Sequence, residues 1–198
     1  MIAMLPLLLL GCGPKHLSSS PTADDYFPLG DGYSWSYAAT FNGQSYPETR
    51  VSVAIEVDGA PVYVFLPAED LSDDTAMVFS GSFGLGAYRR EGGGVETANA
   101  MWREEVAGLS PSSFQHMLTL PPQVGEVAPF DTPSVDRSGG IIVQGYETVT
   151  VPAGTFEDCL RIELGEDSYA WLAPGVGLVK WVLVTGRVEE LESFTFAR

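Results

Sequence analysis

The chain has 198 residues with 26 acidic against 10 basic ones, a formal net charge of -16, and 45% hydrophobic residues alongside 22 Gly and 14 Pro. That charge excludes a sequence-independent nucleic-acid binder, whose affinity for phosphate rests on Lys and Arg, and it excludes electrostatic docking on anionic lipid. The apolar, turn-rich composition points to one folded domain, and no long amphipathic helix emerges from the pattern.

Residues 1–11, MIAMLPLLLLG, form an uncharged apolar run that stops at Cys12. Such a run is far shorter than the 20 or so residues that span a bilayer. Leu9-Leu10-Gly11-Cys12 looks like a bacterial lipobox, in which cleavage leaves a lipid-modified cysteine at the N-terminus. Leu10 is a less usual choice at its position, and no basic residue precedes the run. Stable attachment to a membrane takes more than one acyl chain, which a triacylated Cys12 supplies. Gly13 follows instead of the aspartate that marks inner-membrane retention in enteric bacteria, so the expected location is the outer membrane, facing the periplasm or the cell surface. From Gly13 to Asp25 the chain is rich in Ser and Pro and poor in large apolar residues, the composition of a flexible tether. His16 lies there without partners for a metal site. The expected organisation is a signal peptide at 1–11, a lipid-anchored tether at 12–25 and an antiparallel β domain at 26–198.

Tyr33, Trp35, Tyr37, Ala39 and Phe41 alternate with polar residues, the period of a half-buried strand. Val51, Val53, Ile55 and Val57 repeat the alternation against Ser52 and Glu56, which predicts a second strand. Asp58-Gly59 then predicts a type I′ hairpin turn into a strand over Pro61–Leu66. Glu69, Asp70, Asp73 and Asp74 form an acidic loop, yet their spacing matches no calcium motif. Ser80–Gly86 reads as a glycine-rich hairpin, with neither a phosphate-loop nor a nucleophile-elbow frame. Arg89 and Arg90, with Arg103, are the basic residues of the middle, expected to pair with carboxylates across strands.

His116 is the only histidine of the expected domain. In a strand over Phe114–Leu120 it would share a face with Phe114 and Leu118, and no motif supplies the activated serine that a catalytic histidine would need. Pro121 and Pro122 end that strand, and residues 121–140 read as loop-rich. Ile141–Val151 is a long strand with a bulge expected at Gly145.

The stretch Val149–Trp181 reads as three strands and two turns. Pro152-Ala153-Gly154-Thr155 turns the chain, Leu160, Ile162 and Leu164 alternate with Arg161 and Glu163, and Gly165–Ser168 reverses the chain into Tyr169–Ala173. Pro174–Gly177 leads into Leu178–Val184, and Val188–Phe196 closes the domain. Leu160, Ile162, Leu164 and Trp171 are placed to fill a core. Cys159, without a partner once Cys12 is acylated, reads as a small buried residue.

Two of these segments, VTVPAGTFEDCLRI and WLAPGVGLVK, resemble the C-terminal half of the TapB-like group of bacterial envelope lipoproteins, a domain of unknown function. Tyr26-Phe27-Pro28-Leu29 with Gly32, Trp35 and Tyr37 is similar to that group's opening, and Leu118–Gly125 resembles its apolar middle segment with Thr119 in place of a proline. The resemblance spans residues 26–184 except for 67–110. It implies an envelope location and a β-rich fold, and it brings no catalytic residue.

The expected fold is all-β: a single antiparallel, strongly curved sheet, a partial barrel or sandwich, of about ten strands, since large antiparallel sheets must curl to hide their edges. The expected function is a non-enzymatic envelope lipoprotein that binds or scaffolds, in contact with the membrane through acylated Cys12 and with an envelope protein or an apolar ligand. Neither a cofactor nor a metal is called for. Two rivals are a carrier holding a lipid in a half-barrel and a hydrolase using a carboxylate pair, though no pair among the acids is singled out.

Overall fold

The structure is a computed structural model and describes residues 25–68, 86–98, 106–132, 137–165 and 167–197. Cys12, His16, the acidic loop at 69–74, residues 80–85 and Arg103 lie outside the described residues. Among the described residues twelve strands form one sheet: β1 (Ser34–Phe41), β2 (Gln44–Val57), β3 (Ala60–Pro67), β4 (Gly86–Glu91), β5 (Gly94–Ala98), β6 (Phe114–Thr119), β7 (Val127–Thr132), β8 (Arg137–Val151), β9 (Gly154–Leu164), β10 (Tyr169–Ala173), β11 (Gly177–Val182) and β12 (Val188–Thr195). The fold is all-β, and the antiparallel sheet curls until it is nearly closed into a barrel.

The strand order is β6-β5-β4-β3-β2-β1-β12-β11-β10-β9-β8-β7. Neighbours are consecutive in sequence except β1 and β12, which pair from Ser34↔Thr195 to Thr40↔Val188 in the middle of the sheet. The two edges, β6 and β7, are themselves consecutive, and the curl brings them together across residues 120–126. Turn chemistry sets much of this. Asp58 and Gly59 have φ of 49° and 81°, the conformation that a two-residue type I′ hairpin requires and that glycine adopts without strain. The expected bulge at Gly145 is present, with the β8–β9 register shifting between Val143 and Gly145.

Side chains of one face of every strand fill the interior. Trp35, Tyr37 and Ala39 from β1 meet Leu191 of β12, Val179 and Trp181 of β11, Ala170 and Leu172 of β10, and Leu160 and Ile162 of β9, all at most 3% exposed. Each large side chain so buried contributes about 1.5–3 kcal/mol relative to exposure. A second, smaller apolar cluster joins Val57, Val62, Val64, Leu66, Ala87 and Ala98, with Val53, Ile55, Val106, Leu109 and Phe114 packed against it.

In β2 Arg50 and Ser52 are buried, whereas Val51, Val53 and Ile55 are half-buried on the other side of the strand. That side has its own apolar cover, so the expected alternation is present and the inward face is the polar one. Three expectations need correction. Residues 121–140 are not all loop, since β7 pairs with β8 there. A Cβ on Gly140 would lie 3.2 Å from the Ala128 carbonyl oxygen, and such glycines hide a strand from propensity-based reading. In β6 the partner register shifts between Val95 and Glu96, so Met117 and Leu118 are both buried and His116 is exposed, off the face of Leu118. Trp171 lies on the face opposite Ala170 and Leu172, half-buried, with Arg161 and Lys180 as its cross-strand partners.

Candidate functional site

Residues 25–30 precede β1 without joining the sheet, and they form an arm across one end of the barrel. The Asp25 carbonyl accepts a hydrogen bond from the Gly175 N–H at 2.9 Å, in the turn between β10 and β11. On the opposite wall Arg90 of β4 pairs with the Asp25 carboxylate and donates to the Phe27 carbonyl at 2.7 Å. The Tyr26 hydroxyl donates to the Asp158 carbonyl at 3.0 Å. Phe27 enters the interior, its ring centroid 4.8 Å from Tyr88 and 5.9 Å from Phe65. Pro28 sits over Gly177, where an added Cβ would lie 3.1 Å from its ring. Gly30 is fixed by close approach, since a Cβ there would stand 2.2 Å from the Tyr33 ring.

Below the arm, two β1 side chains reach across to β11 and its preceding turn. Trp35 Nε1 donates to the Val176 carbonyl at 2.7 Å, and the Tyr37 hydroxyl donates to the Leu178 carbonyl at 3.0 Å. Burial pushes the Tyr37 phenol well above its ordinary pKa. What remains open beneath the arm is a cavity of about 20 Å³, lined by Phe27, Pro28, Trp35, Tyr37, Arg50 and Phe65 among others. That is room for about one water.

Arg50, 1% exposed, belongs to a closed ring of four charges. Its guanidinium pairs with Glu48 at 2.8 Å and with Glu189, and Arg187 pairs with Glu189 at 2.6 Å and with Glu48. All four carboxylate oxygens are engaged: Glu48 Oε1 and Glu189 Oε2 by Arg50, Glu48 Oε2 and Glu189 Oε1 by Arg187. Glu189 is completely buried. Arg50 lies over the Tyr37 ring at 4.7 Å and Arg187 over Tyr46 at 5.3 Å. Burial opposes the charge on Arg50, but Glu189, Tyr37 and Glu48 together outweigh it and raise its pKa further. The ring is neutral as a whole, and its two carboxylates face each other through guanidinium groups that leave no oxygen for a substrate.

At the seam, Glu126 ties the barrel edges. Its carboxylate accepts from the Thr119 N–H at 2.8 Å and lies 3.1 Å from His116 Nε2. Burial would raise its pKa, but the hydrogen bonds from Thr119, His116 and Gln123 prevail and hold it below the usual carboxylate value. His116 is thereby placed beside a carboxylate and a threonine, 3.3 Å from Thr119 Oγ1. Cys159 is buried, its thiol donating to the Phe156 carbonyl at 3.4 Å, and burial pushes its pKa up to about 11. It is therefore a neutral thiol at ordinary pH, without nucleophilic character. Arg89 pairs with Glu96 directly across β4 and β5 at 2.6 Å, as expected for a cross-strand pair. Among the described residues no group of three or more His, Cys, Asp and Glu is placed to hold a metal ion, and no helix is long and apolar enough to cross a membrane.

No family model matches the chain, and no curated protein does. Solved structures do. One is a protein of Bacteroides fragilis, provisionally described as exported and having a YmcC-like fold: 16% identity, 86% of this chain and 98% of that one covered, TM-score 0.37. A second, from Parabacteroides distasonis and provisionally described as a lipoprotein, shows 12% identity over 86% of this chain and 98% of its own, TM-score 0.38. MucB matches at 10% identity over 89% of this chain and 57% of its own length, TM-score 0.35. The resemblance to the TapB-like group is not among what these comparisons show.

The arm and the charge ring are the features that sequence reasoning missed as sites. Tyr26-Phe27-Pro28-Leu29 stood out as a motif, yet nothing in its pattern says that it crosses the barrel. Glu189 lies 139 positions from Arg50, and only the pairing of the first strand with the last brings them together.

Proposed function

We propose that this chain is a bacterial cell-envelope lipoprotein, anchored in the outer membrane through acylated Cys12, whose β domain has a non-enzymatic binding or scaffolding role. The observation that carries the reading is Leu9-Leu10-Gly11-Cys12 at the end of a short apolar leader, followed by a Ser- and Pro-rich stretch that ends where the arm enters the barrel. The electrostatics of the domain support it. Arg89, Arg90 and Lys180 pair with Glu96, Asp25 and Glu190, and Arg50 and Arg187 are spent in the charge ring. Five cations of the described residues are thus neutralised within the domain while the chain carries a net charge of -16. Contact with anionic lipid then falls to the acyl group, and a protein partner would present basic groups.

Glu48 and Glu189 lend no support to a hydrolytic reading, because both are engaged by Arg50 and Arg187. The cavity of about 20 Å³ beneath the arm has room for about one water and, with the arm in place, none for a lipid. Fractionation of cells expressing the wild type and Cys12→Ser tests the anchor. The wild type should sediment with outer membranes, need detergent for release and incorporate an alkyne-palmitate label. Cys12→Ser should be soluble and unlabelled, and its retention on membranes would refute the assignment.

A further inference from the structure

The barrel is filled beneath its rim by residues 26–29, which are not part of its wall. Phe27 and Pro28 occupy a hollow whose remaining sides are Trp35, Phe65, Tyr88, Leu178 and the backbone at Gly177. The arm makes no strand ladder with either wall. Its backbone is held from the β10–β11 turn by Gly175 and from β4 by Arg90. The ion pair that fastens the second hold, Arg90 with Asp25, has side chains 36% and 19% exposed, so water and salt reach it and weaken it, while the Tyr26 hydroxyl on Asp158 and the buried Phe27 ring add to the closed state. At the other end of the arm Gly32, with φ of 71°, donates to the Ser52 carbonyl at 2.8 Å. The arm can therefore swing from a pinned base without disturbing β1.

We propose that this arm is a gate over an acyl-chain site. When the Asp25–Arg90 pair opens and Phe27 withdraws, the aromatic hollow framed by Trp35, Phe65, Tyr88 and Leu178 accepts one lipid acyl chain. Three polar groups of the walls need nothing from a chain: Trp35 Nε1 and the Tyr37 hydroxyl already donate to Val176 and Leu178, and Arg50 is held in its ring. The source of the chain, membrane lipid, rests on the anchoring through Cys12 proposed above. Residues 13–24 alone separate Cys12 from the arm, so on that reading lipid is the apolar solute most concentrated at the gate. The hollow itself does not depend on the anchor.

A protein whose bound state needs a minor open form has its apparent Kd raised to the intrinsic value divided by the fraction open. Weakening the latch should therefore tighten binding. The test uses the purified chain with Cys12→Ser, free of its own acyl group, and dibromostearate as the probe. Bromine quenches tryptophan at contact, and native mass spectrometry counts bound chains. Arg90→Ala and Asp25→Asn, each with an unchanged circular dichroism spectrum, should lower the apparent Kd about two- to fivefold. Phe27→Ala should lower it further, with one chain bound and Trp35 quenched. An unchanged Kd in a folded latch variant, or no quenching in any of them, overturns the gate; if Arg90→Ala does not fold, Asp25→Asn decides alone. Latch-dependent binding in a protein whose wild type proves unanchored would leave the hollow standing and change only the source of its ligand.

Discussion

Arg50 shows what one buried charge demands of its surroundings. A guanidinium 1% exposed is tolerated because two carboxylates and an aromatic face replace the water it has lost, and a buried charge left unpaired is among the costliest defects a fold can carry. Glu189→Ala removes one carboxylate and should lower the unfolding free energy by about 3–5 kcal/mol, read from urea melts. Replacing both members together, Arg50→Leu with Glu189→Leu, should cost less than Glu189→Ala alone, because no orphaned charge remains. A single variant that lost under about 1 kcal/mol would mean that water reaches Arg50 and that the ring is not a dry one. The sequence offered no hint of this residue. Arg50 opens the run Arg50-Val51-Ser52-Val53, whose valines carry the visible alternation, and its neutralising partner comes from the far end of the chain.

At the scale of elements, legibility follows how local the cause is. The β2–β3 hairpin was readable because Asp58-Gly59 decides its own geometry, and β9 because Leu160 and Ile162 carry the period of a one-sided strand. The direction in which β2 faces was not, because both of its sides are covered and only the position of the second apolar cluster distinguishes them. Residues 127–132 were hidden by the proline of an edge strand and by Gly139 and Gly140 of its partner β8. His116 was misplaced by a bulge whose evidence lies in the partner strand. The seam that joins β6 to β7 depends on one carboxylate, and its pH dependence has a definite sign. The Glu126 pKa is lower folded than unfolded, so its stabilisation is present in full above the unfolded value and is lost as pH falls through the folded one. Amide hydrogen exchange should therefore show protection at Thr119, whose N–H donates to Glu126, decreasing on acidification below about pH 4. Glu126→Gln should be less protected at neutral pH and lack that acid transition; an identical acid profile in the variant would assign the loosening to other carboxylates.

For the molecule as a whole the consequential choice is where the chain ends lie. Most proteins with an open meander leave the first and last strands at the edges, but here β1 and β12 meet in the middle and the edges fall between β6 and β7. Ten of the eleven strand pairings join neighbours in sequence, and the eleventh joins Ser34 to Thr195. The charge ring, the Trp35 and Tyr37 hydrogen bonds and the arm's contacts with Gly175 all hang on that one long-range closure. Ordering nearly the whole chain before these contacts form is slow, since folding rates fall with the sequence separation of native contacts. A circular permutant gives the test: residue 197 joined to Asp25 through a flexible Gly/Ser linker, with new ends between Gln123 and Val124, where Val124 is 61% exposed. Its strands would run β7 to β12 and then β1 to β6, an uninterrupted meander with every pairing local. It should reach the same sheet and refold faster than the wild type in stopped-flow tryptophan fluorescence. It should also unfold at lower urea, because the severed connection carries Glu126, whose hold on Gln123 and Thr119 tightens the seam. Refolding no faster than the wild type would show that the pairing of β1 with β12 is not the slow step.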